Sequence, residues 1–575
     1  MKRIRLFALL LCALFALPAT AAGFLHADGM RIVDGDNRPV LLRGMGLGGW
    51  MIQEGYMLQA GQHQQHVIRR DIASLVGPDK AATFYRAWLD NFITKADIDA
   101  LAGWGFNSIR LPIHYDILTL PADQEPKAGA DTWHEDGFRR IDALADWARA
   151  NNMYLILDLH AAPGGQGSDL PIADRDPTKP SLWDSAENRR KTVALWRKLA
   201  ARYAKDSAIG GYDILNETNW DFSGPGGGHG CQEKDSAPLR AFMMEITAAI
   251  RAVDKDHMIV IEGNCWGNNY AGVLPLWDAN MAISFHKYWN ANDEASVAAA
   301  LKLRDDNHAP VWMGESGENS DVWFRDVIAL VESHDIGWSF WPLKKLGFNN
   351  PLEIVPNPSW APLAAWLRGD PGATKPSADA AWAALSGLAN HDVRFENNLK
   401  HPEVIDAMFR QPHSDASLPF KHHAIGASES IIRAVDYDMG RAGHVYRDTV
   451  DADYHIATGT AETAGNSGRT YRNDGVDIVA GKDGPEVADF LDGEWMAYTL
   501  DAQVAGSRAI ALDGAGSGTI ALSLNGAPPV TVALSGGDWS NVRAPGFAFL
   551  PGNNRLVVSA IRCDCRLSRI RVLAK

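Results

Sequence analysis

Short apolar segments that alternate with amphipathic stretches constrain the fold of this chain most strongly. Residues 153–159 (MYLILDL) are almost all apolar, which is typical of a parallel strand buried on both faces. The stretches between such segments, for example residues 137–151, repeat their apolar residues with the period of an α-helix. Alternation of this kind predicts an α/β fold with a parallel sheet.

Eight segments of this type precede residue 342. The predicted strands lie at residues 41–47, 107–112, 153–159, 212–215, 258–262, 282–285, 311–313 and 336–341. Eight strands in alternation with helices favour a (β/α)8 TIM barrel, with helical residues 361–409 completing its outer ring. A doubly wound sheet is the alternative, but no GxGxxG turn opens a helix after the first segment.

The chain has 575 residues, more than one ordinary domain needs, and a formal net charge of −15. An acidic chain without long basic runs argues against nucleic acid as a partner. The extra length predicts a second domain after the barrel.

Beyond about residue 420 the helical patterns stop and short alternating segments begin. Strand-like segments lie at residues 494–499, 508–512, 520–524, 530–534 and 555–560. They predict an all-β sandwich (jelly roll) over residues 429–575. The catalytic barrel is then expected at residues 23–411, with a linker at residues 412–428.

The amino terminus has the pattern of a secretory signal. Lys2, Arg3 and Arg5 precede an apolar run over residues 6–17, and small residues follow. This pattern predicts a signal peptide over residues 1–22, removed on export to the periplasm or the extracellular space. An uncleaved membrane anchor is the alternative, but the run is short for a membrane span. We therefore expect a secreted protein without membrane contact after cleavage.

Apart from Cys12, the chain contains Cys231, Cys265, Cys563 and Cys565. Cys231 and Cys265 follow predicted strands on one face of the barrel, so they could form a disulfide in an oxidising compartment. Two unpaired cysteines are the alternative. Cys563 and Cys565 are too close in sequence for an easy bridge. The paired CxxC spacing of many metal sites is absent from the sequence.

Two glutamates stand at the ends of predicted strands, Glu217 after the fourth and Glu315 after the seventh. The carboxyl ends of barrel strands carry the active site in this fold. A pair of carboxyl groups is what cleavage of a glycosidic bond requires, one as acid and one as base or nucleophile. Either residue could instead be a buried ion-pair partner, but two in these positions favour catalysis.

Seven motifs in barrel order make the pattern more specific. The chain resembles glycoside hydrolase family 5 over roughly residues 24–370. The motifs are LLRGMGLGGW, FNSIRLP, LDLHAAPG, ILNE, FHKYW, GES and GWSFWPLK.

The resemblance implies roles for the two glutamates and their neighbours. Glu217 is similar to the general acid/base and Glu315 to the nucleophile of a retaining mechanism, which needs carboxyl groups about 5–5.5 Å apart. Asn216 would bind the sugar 2-hydroxyl. Arg110 would keep Glu315 ionised, because a nearby cation lowers the pKa of a carboxyl group. Tyr288 would contact the second oxygen of the nucleophile.

The resemblance also implies residues that bind the sugar. His160 and His286 would contact sugar hydroxyls or tune Glu217, and Trp341 would stack beneath the reacting sugar. A metal site built from the histidines and a glutamate is the alternative, but the HExxH pattern is absent from the sequence, so neither a metal nor another cofactor is expected. Further tryptophans after strand ends are candidates for additional subsites: Trp50, Trp220, Trp266 and Trp289.

The region after residue 429 is similar to family 6 carbohydrate-binding modules. The similarity lies in IRAVDYD, TYRNDGVDI and GEWMAYTL. It implies glycan binding on aromatic surfaces, with Tyr471 and Trp539 as candidate platforms. Val435 and Arg566 replace a glutamate and an asparagine common in that family, which weighs against a structural calcium and a sugar cleft. The alternative is a module that only supports the barrel.

These observations predict a secreted, monomeric, retaining β-glycosidase that binds a polysaccharide or oligosaccharide. A β-glucan is the expected substrate, because the LGGW and LHAAPG motifs resemble glucanase branches of the family. Mannan- or xylan-cleaving and transglycosylating enzymes remain open on the same scaffold. A non-catalytic glycan-binding protein with a degenerate barrel is the alternative from another functional class.

Overall fold

The structure, a computed structural model, describes residues 23–288, 290–450 and 466–574. The predicted signal peptide and Trp289 lie outside this part of the chain. Within it, eight parallel strands form a closed barrel in which β8 pairs with β1. The strands are β1 (Arg43–Gly46), β2 (Ser108–His114), β3 (Tyr154–Ala161), β4 (Ile209–Asp213), β5 (Met258–Ile261), β6 (Met281–Lys287), β7 (Val311–Gly317) and β8 (Gly337–Trp341). The predicted TIM barrel is confirmed.

Helices surround the barrel. Their bounds are Gln65–Val76, Pro78–Asn91, Lys95–Trp104, Glu135–Ala150, Ala186–Tyr203, Ala237–Arg251, Glu294–Asn307, Asp321–Ser333, Trp360–Arg368, Ala378–Gly387 and Pro402–Phe409. The amphipathic helices turn their apolar faces to the strands, and both sets of side chains join one buried cluster. In the described ranges, no helix is long and apolar enough to cross a membrane.

A short hairpin covers the amino-terminal end of the barrel. It consists of His26–Asp28 and Arg31–Val33. Leu25 and Ile32 belong to one buried cluster with Tyr154 and Met258, the first residues of β3 and β5. Because this end is filled by packed side chains, the opposite end of the barrel is where a substrate site can form.

Two strands differ from their predicted bounds in a way that matters for the site. β4 consists of Ile209–Asp213, so Ile214 and Leu215 extend beyond it towards the site. The N–H of Ile214 still donates to the Val260 carbonyl at 3.2 Å. β7 continues past the predicted end and includes Glu315 itself. Both strands are buried along their whole length, including residues that are glycine or polar, so the apolar run alone does not mark their hydrogen-bonded length.

The region after the barrel is all-β, as predicted. Among its described residues, nine strands form one connected sheet. The strands are β9 (His423–Ile425), β10 (Ser430–Arg433), β11 (Tyr446–Arg447), β12 (Ile478–Gly481), β13 (Gly484–Leu491), β14 (Trp495–Ala502), β15 (Gly506–Leu524), β16 (Val530–Phe549) and β17 (Gly552–Val572). Its apolar side chains form a second buried cluster.

This sheet differs from the expectations in the length of its strands and at the linker. The predicted strands at 530–534 and 555–560 are parts of the longer β16 and β17. The predicted strands at 508–512 and 520–524 are one long strand, β15, because Gly514 and Gly516 mark a register shift rather than a turn. The predicted linker 412–428 contains β9, which pairs in parallel with β14.

Both cysteine pairs are bridged. Cys231 and Cys265, whose pairing was open, form a disulfide with a Cα–Cα distance of 4.6 Å. The expectation for Cys563 and Cys565 was wrong, since they form a disulfide with a Cα–Cα distance of 5.5 Å. Residues two apart on a strand project to the same face. Gly518 on the paired strand leaves room, because a Cβ there would lie 3.0 Å from the Cys563 sulfur.

The barrel and the second sheet are joined at a buried asparagine. The Asn473 side chain donates hydrogen bonds to the Asn319 carbonyl (2.8 Å) and to Asp321 Oδ1 (3.1 Å). The Asp321 N–H donates to the Asn473 carbonyl at 2.8 Å. Asn319 in turn donates to the carbonyl of Tyr288, so the second sheet supports a loop at the carboxyl end of the barrel.

We expect Asn473→Ala to destabilise the protein by about 1–3 kcal/mol, because buried polar groups at the junction lose their donor. The measurement is the urea concentration at the unfolding midpoint. Asn541→Ala is the matched control, since Asn541 is exposed and donates to Asp513 on the sheet surface. Equal midpoint shifts in the two variants would contradict a stabilising role for the Asn473 contacts.

Candidate active site

Glu217 and Glu315 meet at the carboxyl end of the barrel. Three atoms lie within 4.8 Å of one another: one carboxylate oxygen of Glu217, one of Glu315 and one ring nitrogen of His286. Both carboxyl groups belong to residues that are only 6% exposed. The strand ends of β4 and β7 therefore bring the two sequence-predicted catalytic residues together, and β6 supplies the histidine.

Glu315 is held by two donors. The Tyr288 hydroxyl donates to its Oε1 at 2.6 Å, and the Arg110 guanidinium donates to its Oε2 at 2.6 Å. Burial alone would raise the pKa of Glu315, but the charges of His286 and Arg110 outweigh it and lower that pKa. Glu315 is thus kept ionised, as a nucleophile must be.

Glu217 has an unusual backbone conformation, and its pKa is shifted in the direction opposite to that of Glu315. Its φ of 37° lies in the left-handed region, which costs free energy for a residue other than glycine. Its N–H is held by Oε2 of Glu262 at 2.7 Å. Burial raises the pKa of Glu217, and the hydrogen bond from His286 only partly opposes this. The two carboxyl groups therefore differ in the sense that an acid and a nucleophile require.

His286 bridges two carboxyl groups. Its Nδ1 lies 2.6 Å from Glu217 Oε1 and its Nε2 lies 3.1 Å from Glu262 Oε1. Burial would lower the pKa of His286, but Glu262 and Glu315 raise it well above its ordinary value. A protonated ring donates from both nitrogens, so it has no lone pair to offer a metal ion. Hydrogen bonding thus accounts for the cluster of Glu217, His286 and Glu315.

Arg110 is buried and faces several carboxyl groups besides that of Glu315. Its Nη2 donates to Asp213 at 2.9 Å and to Glu262 at 3.1 Å, and it lies 3.2 Å from Asp158 Oδ2. Burial first, and then the charge of Glu262, raise the pKa of Asp213 well above its ordinary value. Arg110 opposes this shift, since its Nε and Nη2 both donate to Asp213 Oδ2.

Asn216 lies between the arginine and the second histidine. Its Oδ1 accepts from Arg110 Nη2 at 2.7 Å, which fixes the orientation of the amide. Its Nδ2 lies 3.4 Å from His160 Nε2. The amide N–H₂ is therefore directed towards the side of the site where His160 lies, and its contact with a 2-hydroxyl stays a prediction.

His160 and Trp341 stack on each other. Their ring centroids are 5.2 Å apart and their planes differ by 7°. Trp341 is 4% exposed, and its Nε1 donates to the Tyr56 hydroxyl at 2.8 Å. A Cβ at Gly48 would lie 2.5 Å from the indole, so only glycine leaves room for this ring position. Trp341 is fixed from several sides, and its stacking on a sugar stays a prediction.

Three carboxylates of the site were not singled out from the sequence: Glu262, Asp158 and Asp213. Burial opposes ionisation of Glu262, but His286 and Arg110 lower its pKa to about 2. Glu262 ends the MIVIE segment, and the strand-end criterion that selected Glu217 would have found it. Asp158 and Asp213 lie within strands among apolar residues. Their part in the site follows only from their contacts with the buried Arg110, which the local sequence does not show.

Glu54 was also not singled out. It lies 3.8 Å from His160 Nε2, and burial raises its pKa to about 7, although His160 opposes the shift. Burial would lower the pKa of His160, but Asp158 raises it to about 10.

The other aromatic candidates divide into two groups. Trp50 is buried and donates to the Leu89 carbonyl at 2.9 Å, which makes it a core residue. Trp220 and Trp266 are partly exposed on loops after β4 and β5.

The two candidate glycan platforms of the second region, Tyr471 and Trp539, differ in their exposure and contacts. Tyr471 is partly buried, donates to Asp436 and packs edge-on against Phe420. Trp539 is 46% exposed, with Arg566 over its ring. Trp539 has the exposure that a stacking platform needs, whereas the hydroxyl of Tyr471 is already engaged within the sheet.

Comparison with known proteins gives a matching family model, sequence relatives and solved structures. The family model described as cellulase (glycosyl hydrolase family 5) matches residues 73–347. A β-xylosidase of Phanerodontia chrysosporium is 27% identical over 368 residues, 58% of this chain and 73% of the relative. Endoglucanase C of Acetivibrio thermocellus is 24% identical over 327 residues, 46% of this chain and 88% of the relative. The family match ends before the second sheet.

Two further matches are a sequence relative and a solved structure. A probable glucan 1,3-β-glucosidase A of Emericella nidulans is 31% identical over 274 residues, 46% of this chain and 62% of the relative. The catalytic domain of Thermobifida fusca endoglucanase Cel5A is 20% identical with a TM-score of 0.37, over 63% of this chain and 97% of that one.

Proposed function

We propose that the protein is a retaining β-glycosidase of the glycoside hydrolase family 5 type. The observation that carries the proposal is the pair formed by Glu217 and Glu315. One carboxylate oxygen of each lies within 4.8 Å of one from the other, and the two pKa values shift in opposite directions. Carboxyl groups in retaining enzymes lie about 5–5.5 Å apart, whereas inverting enzymes leave about 6.5–9.5 Å for a water molecule. The family match over residues 73–347 supports the same class.

In the first step, Glu217 donates its proton to the glycosidic oxygen while Glu315 attacks the anomeric carbon. The carbon–oxygen bond to the leaving sugar breaks, and an ester forms between Glu315 and the glycone. Arg110 and Tyr288, which hold the two oxygens of Glu315, leave it positioned for in-line attack. Asn216 would bind the 2-hydroxyl, a contact that strengthens in the transition state.

In the second step, Glu217 has lost its proton and acts as a base. It takes a proton from water, and the oxygen of that water attacks the anomeric carbon and displaces Glu315. Two inversions give retention. His286 stays hydrogen-bonded to Glu217 and so stabilises its charged form between the two steps.

A β-glucan or its oligomers is the proposed substrate. The names of the relatives include an endoglucanase and a probable glucan 1,3-β-glucosidase, which favours β-linked glucose over other sugars. The β-xylosidase among them makes xylosides the main alternative to exclude.

Secretion is part of the proposal. Disulfides form and persist in oxidising compartments, and both cysteine pairs of the described chain are bridged. Together with the signal pattern of residues 1–22, they favour the periplasm or the extracellular space.

The proposal is tested with a panel of β-glucans, mannan and xylan, and with the matching β-aryl glucoside and xyloside. We expect hydrolysis of at least one β-glucan or β-glucoside, and NMR of the fresh product to show the β-anomer first. An α-anomer as first product would overturn the retaining mechanism. Binding without hydrolysis of every substrate would favour the non-catalytic alternative.

A further inference from the structure

The last residue of β6 is a buried lysine that has no part in the two steps of the reaction. Lys287 stands between His286 and Tyr288 and is only 3% exposed. Successive residues of a strand point to opposite faces, so Lys287 is directed away from the side on which His286 meets Glu217. Burying an ammonium group there is costly unless all its donors find acceptors.

The loop that follows β6 supplies these acceptors. Lys287 Nζ donates to Asn290 Oδ1 at 2.5 Å, to the Ala291 carbonyl at 2.8 Å and to the Asn290 carbonyl at 3.5 Å. All three acceptors are neutral carbonyl oxygens, and they match the three donors of an ammonium group. The Trp323 ring, whose centroid lies 5.1 Å from Nζ, adds a cation–π contact. The buried charge and the conformation of the loop therefore depend on each other.

The same loop is also held from the helix Asp321–Ser333 and its start. Trp323 Nε1 donates to the Asn290 carbonyl at 3.0 Å, and Asn292 Nδ2 donates to the Trp323 carbonyl at 3.1 Å. Asn319 donates to the Tyr288 carbonyl at 3.1 Å. With Lys287 on the strand side, these contacts fix the backbone on both sides of the loop, and the Tyr288 hydroxyl lies 2.6 Å from Glu315 Oε1.

We propose that Lys287 is a positioning residue for the nucleophile, whose ammonium gathers the carbonyl oxygens of the loop after β6 and thereby holds the Tyr288 hydroxyl on Glu315. The inference rests on the proposed function. Lys287 acts through Tyr288, because its side chain lies on the outer side of the barrel strand. A shift of the loop by about 1 Å would leave Oε1 of Glu315 without this donor, and displacements of that size are enough to slow catalysis.

A double-mutant cycle with Tyr288 tests this role. Lys287→Met keeps the length of the side chain and removes the ammonium, and kcat/KM on a substrate of the parent protein should fall by about 10–10²-fold. Tyr288→Phe removes the hydroxyl directly. In the Tyr288→Phe background, Lys287→Met should cause less than about a twofold further loss, because residues that act through one contact are not additive.

Asn290 gives a second variant, which decides the question if Lys287→Met does not fold. Asn290 is exposed, so its replacement leaves the core unchanged. Asn290→Ala removes one acceptor of the ammonium and should lower kcat/KM about fivefold, the effect of one hydrogen bond. Asn290→Asp keeps an oxygen at the same place and should retain the activity of the parent. The loss in Asn290→Ala should also disappear in the Tyr288→Phe background.

Lys191→Met is the matched control for the loss of a buried lysine. Lys191 is as buried as Lys287, but it lies on the helix Ala186–Tyr203 and donates to Glu125, away from the site. This variant should lower the urea concentration at the unfolding midpoint and leave kcat/KM within about twofold of the parent, because a destabilised but folded protein keeps its site.

Full activity in Lys287→Met, or losses that multiply when Lys287→Met and Tyr288→Phe are combined, would overturn the inference. A loss in Asn290→Ala that persists in the Tyr288→Phe background would do the same. If the parent protein hydrolyses no substrate, the proposed function fails and the inference with it. Hydrolysis by the parent with independent losses in the cycle overturns the inference alone.

Discussion

Glu315→Gln is expected to lower kcat/KM by at least about 10³-fold on every substrate that the parent protein hydrolyses. The amide is not an anion and does not form the glycosyl ester, while its shape is almost that of the carboxyl group. An amide oxygen can still accept one of the two hydrogen bonds that Arg110 and Tyr288 donate to Glu315, so the site should keep its form. The loss would then report chemistry rather than unfolding.

The loss is measured from initial rates on a glucan that the parent protein hydrolyses and on the matching aryl glucoside. Glu332→Gln is the control, because Glu332 is also paired with an arginine, Arg43. Arg43 begins β1, so this pair lies at the amino-terminal end of the barrel, away from the site. Undiminished turnover in Glu315→Gln would remove Glu315 as the nucleophile, and an equal loss in Glu332→Gln would point to a stability effect.

The barrel was predictable from the sequence because its signals are local and repeated. A parallel strand buried on both faces must be apolar along its length, as residues 153–159 are. The strand bounds were less predictable. Glu315 belongs to β7 because its backbone pairs with His286 of β6, and pairing depends on a neighbour that the local sequence does not reveal.

The meeting of Glu217 and Glu315 was predictable for a related reason. A carboxylate directly after an apolar strand must lie at the carboxyl end of the barrel, whichever residues surround it. Glu262 meets the same condition, but its role depends on three partners from other strands, Arg110, His286 and the N–H of Glu217. Such a network follows from the closed barrel and not from spacing along the chain.

The second sheet was less predictable because its signals conflict. Glycines in β15 resemble turn residues, yet the pairing of β15 with β16 shifts its register between Gly514 and Gly516, whose φ is 101°, and the strand continues. Residues 423–425 have a linker composition but add a strand in parallel to β14, a pairing that joins distant parts of the chain. Long-range pairing overrides local preference in such sheets.

The junction suggests how the two regions act together. Asn473 of the second sheet donates to the carbonyl of Asn319, Asn319 donates to the carbonyl of Tyr288, and Tyr288 donates to Glu315. Each contact fixes the position of the next residue. The loop whose Tyr288 holds Glu315 is therefore packed from outside by the second region, a role that does not depend on glycan binding by Trp539.

Glu217→Gln is expected to separate the two steps of the reaction. On a substrate with a sugar as leaving group, kcat/KM should fall by about 10²–10⁴-fold, because the leaving oxygen receives no proton. On a β-glycosyl fluoride with the same glycone, the first step should be affected far less, since departing fluoride needs less protonation than a sugar oxygen. The second step then lacks its base, so the glycosyl-enzyme should accumulate, and azide should restore turnover by attacking without a base.

The pH profile of the same variant gives an independent test. In the parent protein Glu217 must carry a proton, and burial raises its pKa, so activity should persist to higher pH than an ordinary carboxyl group allows and then fall. Glu315 must be ionised, and its pKa is lowered by His286 and Arg110 against the effect of burial, so the acid limb should lie at low pH. Glutamine has no proton to lose, so the variant should keep the acid limb and lose the alkaline one. An alkaline limb that survives in Glu217→Gln would assign the proton donor to another residue, with Glu54, whose pKa is raised to about 7, as the next to replace.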